Sequence, residues 1–300
     1  MAYSENVLGI LYRRKNSKDE WAGGAMYYLK DGLGERKGCK KLGAGLAVLF
    51  SCFCLLASFG IGNMSQVNSM VSNVYTAFGI PKLATGIFLF VAVSLVVIGG
   101  LKRIAAITEK VVPFMVLLYL LGTLDLTTGQ LTGEAAAIES SALVSYAFGN
   151  HFGFLGSAFV AVAILLFAYS TVLGWSHYGA TACEYLFGTG ATKIYRMVFA
   201  VVVLAGSVMK AQLAWDISDT FNGLMMLPNL IGVITLSPVV MRCTKNYVAR
   251  NLHGKDVEPM LSMFPEIQKM QEEALKEELR EDADAAAKAY GEASDSVVKG

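Results

Sequence analysis

Three side-chain amides, Asn63, Gln66 and Asn68, follow two glycines, Gly60 and Gly62, at the end of an apolar run that starts at Leu42. In hydrocarbon an unpaired amide costs several kcal/mol. These three therefore need partners: a neighbouring helix, a water-filled cavity or a ligand. Each glycine lowers helix propensity by about 1 kcal/mol relative to alanine, and each permits close backbone approach. An apolar helix interrupted at glycine and followed by amides is the pattern of a midplane binding site in a transporter. The same residues would also serve close helix packing, with Asn and Gln bridging helices.

The surrounding composition sets the class. The chain has 300 residues, of which 54% are hydrophobic and 16% charged, and its mean hydropathy is +0.49. A soluble domain has about 25% charged residues. The apolar residues fall in long blocks, which predicts an all-α, polytopic membrane protein whose partner is the lipid bilayer. A net charge of +1 argues against a nucleic-acid partner. Cys39, Cys52, Cys54, Cys183 and Cys243 have no metal-ligand spacing, and Cys52 and Cys54 read as packing residues. No nucleophile elbow, metal triad or phosphate loop occurs, so the sequence reads as a non-enzyme without a cofactor. The start, Met1 to Gly9, lacks the features of a cleaved signal peptide.

Six blocks are long or apolar enough to be spans: about 42–77, 82–100, 104–124, 152–178, 195–213 and 221–241. The first is longer than a bilayer requires, which predicts tilt, a break or extension beyond the membrane. Pro81 opens the second, a position that needs no N–H. Pro113 lies inside the third and predicts a kink or restart. Ser170, Thr171, Trp175, Ser176 and His177 lie in the second half of the fourth. Asp216 and Asp219 read as a helix cap at the outer surface. Pro228 and Asn229 fall inside the sixth. Within the N-terminal segment, Gly23 to Tyr28 forms a small amphipathic patch whose aromatics would sit at headgroup level.

Basic residues alternate with these spans. Residues 1–41 hold nine Lys or Arg, residues 125–151 hold none, and Arg242, Lys245, Arg250 and Lys255 follow the last span. The positive-inside rule then predicts six spans with both termini cytoplasmic. The organisation read from this is a cytosolic segment 1–41, a transmembrane domain 42–241 and a charged cytosolic tail 242–300. Within the tail, residues 266–289 read as a solvated helix with one apolar face.

Several motifs, in order, resemble the alanine or glycine:cation symporter family, the bacterial sodium:alanine symporters. The first is Gly23-Gly24-Ala25-Met26-Tyr27-Tyr28, with Ala25 where the family usually has Pro. Next come Ala57-Ser58-Phe59-Gly60-Ile61-Gly62-Asn63-Met64 with Gln66, Asn68 and Ser69, then Gly100 to Ile104 and Glu109 to Met115. Leu166 to Gly179 and Asn222 to Asn229 complete the match, which covers most of residues 5–245.

The resemblance implies part of an inverted-repeat amino-acid transporter fold in the bacterial plasma membrane. It implies symport of a small neutral amino acid, alanine or glycine, with sodium or a proton as coupling ion. Gly60, Gly62, Asn63, Gln66, Asn68, Thr171 and Trp175 become substrate-binding candidates, with Trp175 walling the pocket against larger side chains. Ser170 and Thr171 become the sodium candidates, because hard cations prefer oxygen ligands. Without the resemblance, both hydroxyls read as bonded back to a carbonyl one turn earlier, and Trp175 as a packing or lipid-facing residue. His177 reads as an interface residue with no proton role.

The chain also departs from the family pattern. A Gly-Thr-Gly-Asn stretch has no counterpart before Met1, and an Asn-Glu-Ala-Gly-Leu-Gly-Ser signature, expected near Leu121 to Leu126, is absent. These departures predict a member lacking N-terminal spans and an internal pair of spans. The alternative function is then a truncated remnant that cannot transport, and little alanine uptake is expected of the chain alone.

Overall fold

The computed structural model describes residues 2–99, 104, 106, 141–277 and 280. The expected third span and the polar loop after it lie mostly outside the described residues. The chain divides into two compact units, one formed by Met1–Ala47 with Asn229–Gly300 and the other by Val48–Pro228.

Unit two is a bundle of long helices. Helix α3 (Lys40–Phe59) enters it from unit one and runs through a π-helical turn, Gly60–Met64, into α4 (Ser65–Phe78). These 39 residues form one continuous helical stretch. At 1.5 Å per residue it is about 58 Å long, twice the hydrocarbon thickness. The first span is therefore a continuous helix longer than the hydrocarbon is thick, not a broken one. Gly79 closes α4 in the left-handed region, φ 68°, and donates its N–H to the Tyr75 carbonyl. Glycine adopts that conformation without a Cβ penalty. Pro81 precedes α5 (Lys82–Val97), as the sequence predicts.

Helix α6 (Ser141–Phe187) changes direction at Gly153, where φ is 63° and ψ −147°. Its apolar part, Phe152–Phe187, is long enough to cross a membrane, as are Lys40–Phe78 and α7 (Ala191–Val208). Helix α8 (Ala211–Thr235) contains Pro228. The core of this unit packs Val67, Met70 and Val71 of α4 against Leu89 and Val93 of α5, Val172 and Leu173 of α6, and Phe199 and Val203 of α7.

The sixth span differs from the sequence expectation at both ends. Helix α8 starts earlier, at Ala211, and ends at Thr235, after which α9 (Ser237–Asn251) departs at 58°. Pro238 has no N–H to continue the ladder and clashes with the preceding turn, so the helix bends there.

Unit one is built from both ends of the chain. Helix α1 (Ala2–Leu11) leads into a hairpin of β1 (Arg14–Lys15) and β2 (Trp21–Ala22), and α2 (Ala25–Gly34) follows. The Asn16 side-chain oxygen accepts the Lys18 and Glu20 amide N–H groups, each at 2.9 Å, and so shapes the hairpin loop. Tyr28 and Met26 are buried rather than held at headgroup level. The reason is a polar partner: the Tyr28 hydroxyl donates to Asn229, and the Asn229 amide donates to Glu5. Residues 265–277 are helical, and the segment before them is clasped to the N-terminal helix rather than free in solvent. There Met263 N–H donates to the Leu11 carbonyl at 3.0 Å, and Phe264 meets Tyr12 edge to face.

Candidate functional site

The glycines of the π turn act through closeness of packing. A Cβ on Gly62 would overlap the Cβ and Cγ of Trp175 on α6. One on Gly60 would lie 3.1 Å from the Ser218 Cα on α8. Both contacts are the close approach that glycine permits. The Gly60 carbonyl accepts the Ser65 N–H, and the Ile61 carbonyl accepts the Ser65 hydroxyl at 3.1 Å and the Gln66 amide at 3.2 Å. A π turn keeps its hydrogen bonds while inserting one residue, so the helix needs no unwinding here.

The three amides have different partners. Asn63 is fully buried and donates to the Phe199 carbonyl of α7 at 2.7 Å. Its own oxygen has no hydrogen-bond partner among the described residues. Asn68 donates to the Gly206 and Met209 carbonyls, at 3.2 and 2.7 Å, where α7 ends and its last carbonyls lack helical partners. Gln66, half-buried, bonds within its own helix. Asn63 and Asn68 thus bridge helices through their N–H groups.

On α6, Ser170 and Thr171 both donate to the Phe167 carbonyl, at 2.8 and 2.9 Å. A hydroxyl that donates its hydrogen still offers oxygen lone pairs. Thr171 and Trp175 are four residues apart and share one helix face. Trp175 is half-buried and meets Tyr178 edge to face, with ring centroids 5.8 Å apart. The structure therefore joins Gly62 to Trp175 directly and sets Thr171 one turn away. It gives Asp216 and Asp219 no capping position, since both lie within α8, where Gln212 donates to Asp216 at 2.8 Å. Their position follows from the early start of that helix.

Sequence reasoning missed a second small-residue contact. Ser58 and Tyr195 share a buried hydrogen bond of 2.9 Å, and Gly179 lies so close that a Cβ would strike both oxygens. The only signal was a serine two residues before Gly60 and an aromatic near the start of α7.

Long apolar helices joined through buried amides and glycine contacts define a multi-pass membrane protein, with its polar groups turned toward neighbouring helices. The family model for the sodium:alanine symporter family matches residues 1–132 and 124–260, and the chain belongs to that family of cation-coupled amino-acid transporters. It is 31% identical to the sodium/alanine symporter AgcS of Methanococcus maripaludis, over 82% of this chain and 73% of that one. It is 26% identical to the probable sodium/glutamine symporter GlnT of Bacillus subtilis, over 85% and 70% of the two chains. To the sodium/proton-dependent alanine carrier protein of Bacillus sp. strain PS3 it is 25% identical, over 64% and 67%. The alignment with AgcS runs over 336 positions, more than the 300 residues here, so that relative carries residues without a counterpart inside the matched stretch. The two family matches meet at residues 124–132, close to where the sequence lacks the Asn-Glu-Ala-Gly-Leu-Gly-Ser signature.

Proposed function

We propose that the chain carries out cation-coupled symport of a small neutral amino acid, alanine or glycine, with sodium or a proton as the coupling ion. The observation that carries this reading is the contact of Gly62 with Trp175 inside a chain of the sodium:alanine symporter family. An indole held against the π turn leaves little room for a long side chain and favours a small substrate. Gln66 and Thr171 are its polar partners, because a zwitterion presents two charged ends and few apolar atoms. The Ser170 and Thr171 oxygens would face the cation with their lone pairs, their hydrogens being directed to Phe167. Gly60, Asn63 and Asn68 support this site, the two asparagines by joining α4 and the π turn to α7.

The setting is a bacterial plasma membrane with both termini cytoplasmic. The start of α3 and the end of α8 belong to one compact unit, which supports placing both ends on one side.

The test is sodium-dependent binding of labelled alanine to the purified chain, followed by sodium-gradient uptake in proteoliposomes. Binding that needs sodium and weakens about tenfold in Gln66→Ala, a loss near 1.4 kcal/mol, is expected. Alanine binding equal with and without a coupling cation would overturn the reading. Uptake then separates a working symporter from a chain that binds without transporting.

A further inference from the structure

In unit one, a basic stretch before α3 is tied to the end of α8, which leads into a second basic stretch. Arg36, Lys37, Lys40 and Lys41 lie at the start of α3, and all four are exposed. The Arg36 guanidinium donates to the carbonyl of Thr235, the last residue of α8. A Cβ on Gly32 would strike Leu236, so α2 also rests against the bend that follows Thr235. The beginning of one apolar helix and the end of another are thereby tied together, and α9 leaves from that point at 58°.

Helix α9 has the composition of an interfacial helix. Met241 and Lys245 fall on one face by helical spacing, with Arg242 beside them and Leu252 just past the helix end. Met241 is 55% and Leu252 73% exposed, and Arg242 and Lys245 are exposed too. Such a face buries its apolar side chains at the acyl boundary and extends its cations toward the headgroups. Glu35 is the acid next to the first stretch, and the tail returns to α9 at Glu258, whose carbonyl accepts the Asn246 amide at 2.8 Å. Basic clusters beside a span attract anionic lipid.

We propose that residues 36–41 and the exposed face of α9 form one docking surface for the headgroups of anionic phospholipid. The occupant is a lipid rather than a soluble anion, because Met241 and Leu252 add an apolar surface that free phosphate would not use.

The full chain, solubilised in a neutral detergent, is titrated with phosphatidylglycerol, phosphatidylcholine or inorganic phosphate, and bound lipid is counted by native mass spectrometry. Phosphatidylglycerol is expected to bind more tightly than phosphatidylcholine, with affinity falling as salt rises. Lys37→Gln with Lys40→Gln and Lys41→Gln should weaken it about tenfold or more. Arg242→Gln with Lys245→Gln, on the other stretch, should weaken the same binding. Lys82→Gln with Lys210→Gln, remote in sequence from both stretches, should leave it unchanged, and the helical circular dichroism of each variant reports on folding. Equal binding of the two lipids, displacement of phosphatidylglycerol by inorganic phosphate, or full binding by either folded basic-site variant would overturn the proposal.

Discussion

The two units satisfy their polar groups in different ways. In Val48–Pro228 the side-chain amides and hydroxyls mostly donate to backbone carbonyls: Asn63 to Phe199, Asn68 to Gly206 and Met209, Ser170 and Thr171 to Phe167. The unit formed by the two ends also uses backbone partners, as Asn16 and Arg36 show, but it adds pairs of side chains, several of them charged. Tyr28, Asn229 and Glu5 form a relay, Arg14 pairs with Asp31 at 2.9 Å, and Arg13 and Lys15 lie over the Trp21 ring. The difference has a physical cause. Hydrocarbon offers no water to a charged or unpaired group, so the spans use neutral donors and the carbonyls already present. Near water, charges are affordable and specify how segments from distant parts of the chain fit together.

The largest effect is expected from Gly62→Ala, because its Cβ would overlap Trp175. Overpacking of this kind costs about 1–3 kcal/mol, and it displaces the indole that walls the proposed site. Alanine binding should be lost while the helical signal persists. Unchanged binding would mean that the π turn and α6 separate easily, and that the spans are packed less tightly than unit one.

Next comes Asn229→Ala, which removes the shared partner of Tyr28 and Glu5 at once. Of the two groups left, only Tyr28 is fully buried, so the loss is about 1–3 kcal/mol in all. The thermal midpoint should therefore fall more for Asn229→Ala than for Asn68→Ala, which leaves only two carbonyls at the end of α7 without their donor. The reverse order would show that the spans depend more on their side-chain amides than unit one does on its relay.

A smaller and more specific effect is expected from Trp175→Ala. Room opens against Gly62, so discrimination against amino acids larger than alanine should weaken, as read by competition binding. Trp215→Ala, a half-buried residue in the second turn of α8, is the control and should leave the ranking unchanged. Equal loss in both variants would point to general destabilisation of the bundle.

The smallest effect concerns Tyr12. Burial, reinforced by the Glu35 carboxylate, pushes its phenol from 10.0 up to about 12. The neutral form is thus favoured in the folded chain, and this stability is fully present below pH 10. It is lost as pH rises through about 12. Its hydroxyl has no hydrogen-bond partner among the described residues. Tyr12→Phe should leave the melting temperature at neutral pH unchanged or slightly raised, and should reduce its decline under alkaline conditions. A steeper alkaline decline in the variant would remove Tyr12 as the cause.

The relay in unit one was hidden in the sequence, where Tyr28 read as a headgroup aromatic and Asn229 as the end of a motif. A tyrosine in an amphipathic patch looks the same whether it meets lipid or a buried carboxamide. Only the fold brings residues 201 positions apart into contact.

What the sequence determined alone was local or additive. Apolar block length and the low charged fraction set the helical membrane class. Pro81 set the start of α5, because proline constrains the residues next to it, and the motifs near Gly60 and Trp175 set the family. Tertiary structure decided what the polar residues do. Whether Asn68 meets a ligand or the carbonyls of Gly206 and Met209 depends on residues 138 and 141 positions away. Whether Gly62 exposes its backbone or admits Trp175 depends on how closely α6 approaches. Helical periodicity specifies which residues share a face, and only packing of one helix against another specifies what that face meets.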